Sequence, residues 1–138
     1  MTAREIETIQ ESMEIILPDA MVVGTKMYER LFEIASEVRP LFKEDIEKQS
    51  RKLMSILVHI TANLDQFDML KEELEQLAIK HEAYQVEAAH YDILRAALFW
   101  TLEQHLQAAW TPEMATAWGK AYQAIASSMI ATQVKAAK

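Results

Sequence analysis

Only two glycines and three prolines punctuate this 138-residue chain. Strand-built domains of this size need a turn roughly every 8–12 residues, and turns are made mostly by glycine, proline and short polar residues. A chain this poor in turn residues has to run in long uninterrupted elements. No alternating strand pattern, internal repeat or low-complexity linker is present. The fold class expected is therefore all-α, in one domain spanning 1–138.

The prolines mark helix boundaries. Pro18 follows Ile15-Ile16-Leu17, Pro40 interrupts Val38-Arg39-Pro40-Leu41-Phe42, and Pro112 follows Thr111 as N-cap and first-turn proline do. A first helix is expected to open at Thr2, with Glu5 three residues on as a capping box, and to bury Ile6, Ile9, Met13 and Ile16. A second is expected over about 19–35, with Val23, Met27, Leu31 and Ile34 inward. A short turn at 37–41 and a connector from Phe42 to Lys48 lead to a third over about 49–63, with Leu53, Ile56, Leu57 and Ile60 inward. Further helices are expected over about 69–82, 88–108 and 112–134. That makes six long helices with one or two short ones. Gly24 falls inside the second, where glycine costs about 1 kcal/mol against alanine. That cost is tolerated where two helices cross closely, and the small Ser50 is the expected partner.

Composition narrows the function classes. Hydrophobic residues make up 51% and charged residues 25%, which is globular rather than disordered. Fourteen basic against twenty-one acidic residues leave a net charge of −7. That balance argues against a nucleic-acid partner and against docking on an anionic membrane. The absence of cysteine excludes disulfides, thiolate metal sites and thiol catalysis. The acidic, periodic N-terminus is unlike a targeting signal, and no apolar run reaches bilayer-spanning length. A cytoplasmic protein is expected.

Few residues remain to carry chemistry. There is no glycine-rich phosphate loop, no nucleophile motif, and no paired Glu-x-x-His for a two-metal site. Acidic pairs such as Glu72-Glu73 and Glu44-Asp45 read as solvated faces. Among the four histidines, His81 continues the stripe Leu70, Leu74, Leu77 and so points inward, either as a satisfied core residue or as a ligand. His59 lies about 240° round its helix from Leu53 and is expected to face away. His105, among Glu103, Gln104 and Gln107, is expected to be exposed. Tyr28 and Gln49 sit beside apolar stripes. They either satisfy backbone groups or aim donors into a ligand cavity.

Taken together, these segments resemble a known family. Tyr28-Glu29-Arg30-Leu31-Phe32, Glu37-Val38-Arg39-Pro40-Leu41-Phe42 and Gln49 to Leu53 are similar to the distal half of a bacterial globin. Leu77-Ala78-Ile79-Lys80-His81, then Tyr84, Val86 and His90-Tyr91, resemble its proximal half, and Ala117-Trp118-Gly119-Lys120-Ala121-Tyr122 the start of its last helix. The resemblance is to single-domain bacterial haemoglobins and the haem domains of flavohaemoglobins. It implies a three-over-three globin fold around one haem b. His81 would be the proximal iron ligand. Phe42, Lys52, Leu53, Leu77, Val86 and Tyr91 would complete the cofactor site, with Phe42 on the haem face and Lys52 at a propionate. Tyr28, Gln49 and Leu53 would line the gas side.

The resemblance also bears on function. It implies reversible binding of dioxygen and other diatomic gases for storage, delivery or scavenging, as a monomer or weak homodimer. The alternative it implies is a nitric oxide dioxygenase served by a separate reductase. In flavohaemoglobins a tyrosine matching Tyr91 pairs with a glutamate, whose place here is near Gln133. A neutral amide there implies a weaker push on the proximal histidine.

Overall fold

The computed structural model describes residues 1–83 and 87–136. Six α-helices account for most of them: α1 (Ala3–Ile16), α2 (Ala20–Ile34), α3 (Ile46–Ala62), α4 (Phe67–Ala83), α5 (Ala88–Leu106) and α6 (Pro112–Ala136). Short 3-10 turns at Leu17–Asp19, Ser36–Leu41, Leu64–Gln66 and Gln107–Ala109 join or extend them. No strand occurs among the described residues. None of their helices is long and apolar enough to cross a membrane.

The helix starts follow local chemistry. At α1 the Glu5 backbone N–H donates to Thr2 Oγ1 at 3.1 Å and the Thr2 backbone N–H donates to Glu5 Oε1 at 2.8 Å, the expected reciprocal box. Glu5 also holds Lys120 of α6 at 2.6 Å. Lys120, and then the Thr2 N–H, draw the carboxyl down to about 2. Thr111 caps α6 by accepting the Met114 N–H at 3.1 Å. α3 begins three residues before the sequence reading placed it, because Asp45 accepts the Lys48 N–H at 3.0 Å and caps Ile46. The acidic Glu44-Asp45 pair is thus partly a cap. The short elements number four rather than one or two.

α2 crosses α3 and α5, α1 packs on α6, and α4 leans chiefly on α6. Ile9, Ile16, Val23, Met27, Leu74 and Leu102 are fully buried between them. The buried Trp118 indole donates to Ser12 Oγ at 3.0 Å, and the Ser12 hydroxyl donates to the Ile9 carbonyl at 2.6 Å, joining α6 to α1. Two inward assignments change. Ile34 is 41% exposed, because the helix ends there and Ala35 (φ −150°) turns into the core instead. Along α3, Ser50, Met54 and Thr61 form the most buried face, whereas Leu53, Ile56 and Leu57 are half-buried.

The crossing inferred at Gly24 is present. A Cβ there would lie 3.0 Å from Ser50 Cβ, 3.0 Å from Met54 Cγ and 3.2 Å from the Ser50 carbonyl oxygen. The Met54 atom is Cγ, near the root of its side chain, so it can give little, and the α3 backbone cannot give. Gly24→Val is expected to destabilise the fold by about 1–3 kcal/mol through overpacking. Urea unfolding should show this as a lowered midpoint with unchanged slope.

Candidate functional site

Tyr28 and Leu31 of α2 face Leu53 of α3 across a cavity of about 100 Å³. Val38, Leu41 and Phe42 close one side. His81 of α4 and His90, Tyr91, Ile93 and Leu94 of α5 close the other. Each placement has a local cause. Tyr28 stands one turn after Gly24, and Leu53 three residues after Ser50, so the close α2–α3 crossing sets both. Tyr28, Phe32 and Phe42 form an aromatic cluster with centroids 5.2–6.1 Å apart, which fixes the Tyr28 ring.

His81 is turned by its own helix. Its Nδ1 lies 2.8 Å from the Leu77 carbonyl one turn back, as a ring held for ligation requires. A carbonyl only accepts, so Nδ1 carries the hydrogen and Nε2 keeps its lone pair. Burial lowers the imidazole pKa below its ordinary 6.5, partly offset by the Leu77 carbonyl, so the ring is neutral. Among the described residues, no group of three or more His, Asp or Glu converges on a metal position. One imidazole does not hold a bare transition metal, which takes three or four protein donors. It does suit iron already held by a macrocycle.

The opposite wall supplies a different group. Tyr28 is 5% exposed, and among the described residues its hydroxyl has no hydrogen-bond partner. Burial alone pushes its pKa well above 10. It is therefore a neutral donor beside the cavity. Apolar Leu31, Val38, Phe42 and Leu53 surround it.

A cavity of about 100 Å³ holds a diatomic gas or a few waters, each water taking roughly 30 Å³ in the liquid. A second, larger space of about 580 Å³ follows the α3–α4 seam, lined by Ile56 and Ile60 of α3 and by Leu70, Leu74 and Leu77 of α4. His59 Nε2 bridges the seam to Glu73 at 2.6 Å. The two spaces flank one seam, since Leu53 precedes Ile56 and Leu77 precedes His81 by about a turn. They share no lining residue.

Behind His81 lies a neutral network. Gln133 Nε2 of α6 donates to the Ala78 carbonyl at 3.2 Å and to the Tyr91 hydroxyl at 3.1 Å. The Tyr122 hydroxyl donates to the Tyr91 carbonyl at 2.5 Å. The expected pairing of Tyr91 with Gln133 is thus present.

Of the residues singled out from sequence, the cavity unites Tyr28, Phe42, Leu53, His81 and Tyr91. Gln49 is half-buried on α3, one turn before Leu53, and is not among the lining residues. Leu77 lines the larger space. Lys52 is exposed, with Nζ 2.8 Å from the Glu44 carboxylate. Val86 lies outside the described residues. His59 is exposed but turns to the α3–α4 seam and Glu73 rather than away from it, and His105 is half-buried, 3.5 Å from Asp19, because the α5 end tucks against the start of α2. Leu31, Val38, Leu41, His90, Ile93 and Leu94 were missed as lining residues. The spacing His90, Tyr91, Leu94 marks one face of α5 and could have shown part of it.

A family model described as Globin matches residues 25–129. The flavohemoprotein of Bacillus subtilis is 26% identical over 130 residues, covering 92% of this chain and 33% of its own length. The chain therefore spans about a third of that relative. A protein named anaerobic nitrite reductase GLB0 from Physcomitrium patens is 26% identical over 94% of this chain and 78% of its own. Among solved structures, a bacterial globin from Campylobacter jejuni superposes with a TM-score of 0.85 at 23% identity, covering 97% of both chains. An engineered carbene transferase, described as a putative nitric oxide dioxygenase from Rhodothermus marinus, gives 0.90 at 22% identity, covering 99% of this chain and 95% of its own.

The buried phenols make the fold alkali-sensitive. The folded-state pKa values of Tyr28 and Tyr122 are raised above the unfolded value near 10. Their stabilising effect is complete below pH 10 and is lost as pH rises toward the folded values. Absorbance titration is expected to show these two phenols ionising only with loss of helical circular dichroism, whereas in urea all four tyrosines should titrate together near 10.

Proposed function

Because the chain belongs to the globin family, we propose that it binds dioxygen reversibly at a b-type haem, for storage, delivery or scavenging. The observation that carries this reading is the placing in one cavity of a neutral His81 with a free Nε2 lone pair and of a buried Tyr28 whose hydroxyl has no partner among the described residues. The haem, when bound, supplies an iron centre for diatomic gases. A b-type attachment is favoured because there is no cysteine to form thioether links.

The protein's own groups divide the work. His81 presents Nε2 to the iron, and the Leu77 carbonyl holds the ring and sets its donation. Tyr28 donates its hydroxyl hydrogen toward the gas. Such a donor favours dioxygen, which draws negative charge, over carbon monoxide, which draws little. Phe42 and Leu53 keep water from the pocket. Gln49, one turn from Leu53, is proposed as a second donor that reaches the gas by a change of rotamer. Lys52, Leu77 and Val86 are proposed to complete the cofactor's edge and proximal face.

A second reading is a nitric oxide dioxygenase served by a separate reductase. The description of the Rhodothermus marinus protein favours it, as does the likeness to the flavohemoprotein. The neutral Gln133 beside Tyr91 argues for gas binding first, since an amide adds no charge behind His81.

The test is the absorption spectrum of the hemin-loaded protein, ferric, reduced, and after carbon monoxide or air. A histidine-ligated spectrum that changes cleanly with gas is expected. It should be lost in His81→Gly and restored by added imidazole. Tyr28→Phe is expected to speed dioxygen release by about 10- to 100-fold, since a hydrogen bond to a charged group contributes about 1.5–3 kcal/mol. Stopped-flow displacement by carbon monoxide measures it. An unchanged rate would remove Tyr28 from the gas side. Many turnovers of nitric oxide with an added reductase would favour the second reading.

A further inference from the structure

His90 shares the cavity with His81, yet its hydrogen bonding is inverted. The Glu87 backbone N–H donates to His90 Nδ1 at 2.8 Å. A backbone N–H can only donate, so Nδ1 is the acceptor and, in the neutral ring, the hydrogen sits on Nε2. At His81 the Leu77 carbonyl forces the opposite tautomer. One cavity thus carries two histidines held in complementary states. His81 offers a lone pair and His90 offers an N–H. The occupant they suit has an electrophilic centre next to one and an anionic oxygen next to the other.

Burial says which end is which. Tyr28 lies deep, at 5% exposure, whereas His90 is half-buried in the first turn of α5. A carboxylate cannot lose all its water cheaply, so it belongs at the half-exposed edge. We propose that His90 is a positioning residue for the macrocycle, donating Nε2–H to one of its carboxylate groups. This rests on the haem reading above. Among the described residues the Nε2 side of His90 has no other partner. The Glu87–His90 bond holds the ring ready, so little side-chain entropy is lost on binding.

His90 is the third residue of α5 after the cap at Glu87, a position where Glu or Gln can accept the cap N–H equally well. Two variants therefore keep the helix start and change only the outward group. H90Q retains a donor, and H90E places a negative charge there. Wild type, H90Q and H90E are each loaded with hemin and, separately, with hemin dimethyl ester, whose carboxylates are blocked. Transfer to excess apomyoglobin gives the loss rates, and circular dichroism checks the fold. H90E is expected to lose hemin about tenfold or more faster than wild type, with H90Q close to wild type. The gap should close with the dimethyl ester. Equal acceleration with both porphyrins would reduce His90 to packing and overturn the proposal, as would no acceleration at all. Faster dioxygen release from H90E with unchanged hemin loss would move the donor to the gas and also overturn it. Failure of wild type to take up hemin would instead sink the haem reading itself.

Discussion

The close approach of α2 to α3 at Gly24 and Ser50 governs the Tyr28 side of the cavity. Without a Cβ at Gly24, the α3 backbone comes within van der Waals reach of α2. Helical periodicity then does the rest. Tyr28 is one turn along α2 and Leu53 less than one turn along α3, so both meet over the same small space. A wider crossing would separate the phenol from the cavity by more than a hydrogen bond spans. Among the described residues, the buried Ser50 hydroxyl has no hydrogen-bond partner at this crossing. The fold tolerates that orphan group because only a small side chain fits there.

The histidine side is supported from elsewhere. α4 is seated on α6, not on α3, and the seam between α3 and α4 stays open enough to leave a second space. Gln133 ties the Ala78 carbonyl, one turn before His81, to α6, while Tyr122 fixes the start of α5 through Tyr91. The two walls of the cavity therefore rest on different partners. The cross-seam contact of His59 with Glu73 joins two exposed side chains, and such pairs are worth little.

Much of this was legible in the chain because it rests on local chemistry. Turn scarcity gave the helices, the Thr2–Glu5 and Thr111 caps gave two starts, and the cost of Gly24 gave a crossing. What escaped depends on where the chain bends in space. Ile34 obeys helical spacing yet faces solvent, since α2 ends there and Ala35 takes the core position. Asp45 was read as a charged surface residue when it caps α3, because cap and surface acids look alike without the following N–H in view. Leu53, Ile56 and Leu57 form an apolar stripe, but it borders the seam, and burial passes to Ser50 and Met54. The inward position of His81 follows from periodicity, but the ligand role proposed for it rests on the family resemblance. His90 needed the tautomer, which no sequence pattern carries.

Charge around His81 separates the two functional readings better than the gas side does. Both readings use the same neutral donor at Tyr28, so the gas side is common to them. Among the described residues, the hydrogen-bonded groups behind His81 are a backbone carbonyl, an amide and two phenols whose burial keeps them protonated, with Asp92 and Arg95 near Tyr122 opposing each other in charge. None of the hydrogen-bonded groups carries charge near neutral pH. A carboxylate in place of Gln133 would raise the electron donation of the imidazole, which favours chemistry on the gas over its release. The neutral network instead leaves His81 donation to the Leu77 carbonyl alone. On the proposed reading, the gas would be held through a hydrogen bond from Tyr28 and released unchanged when that bond breaks. This is the physical ground for placing reversible binding ahead of turnover.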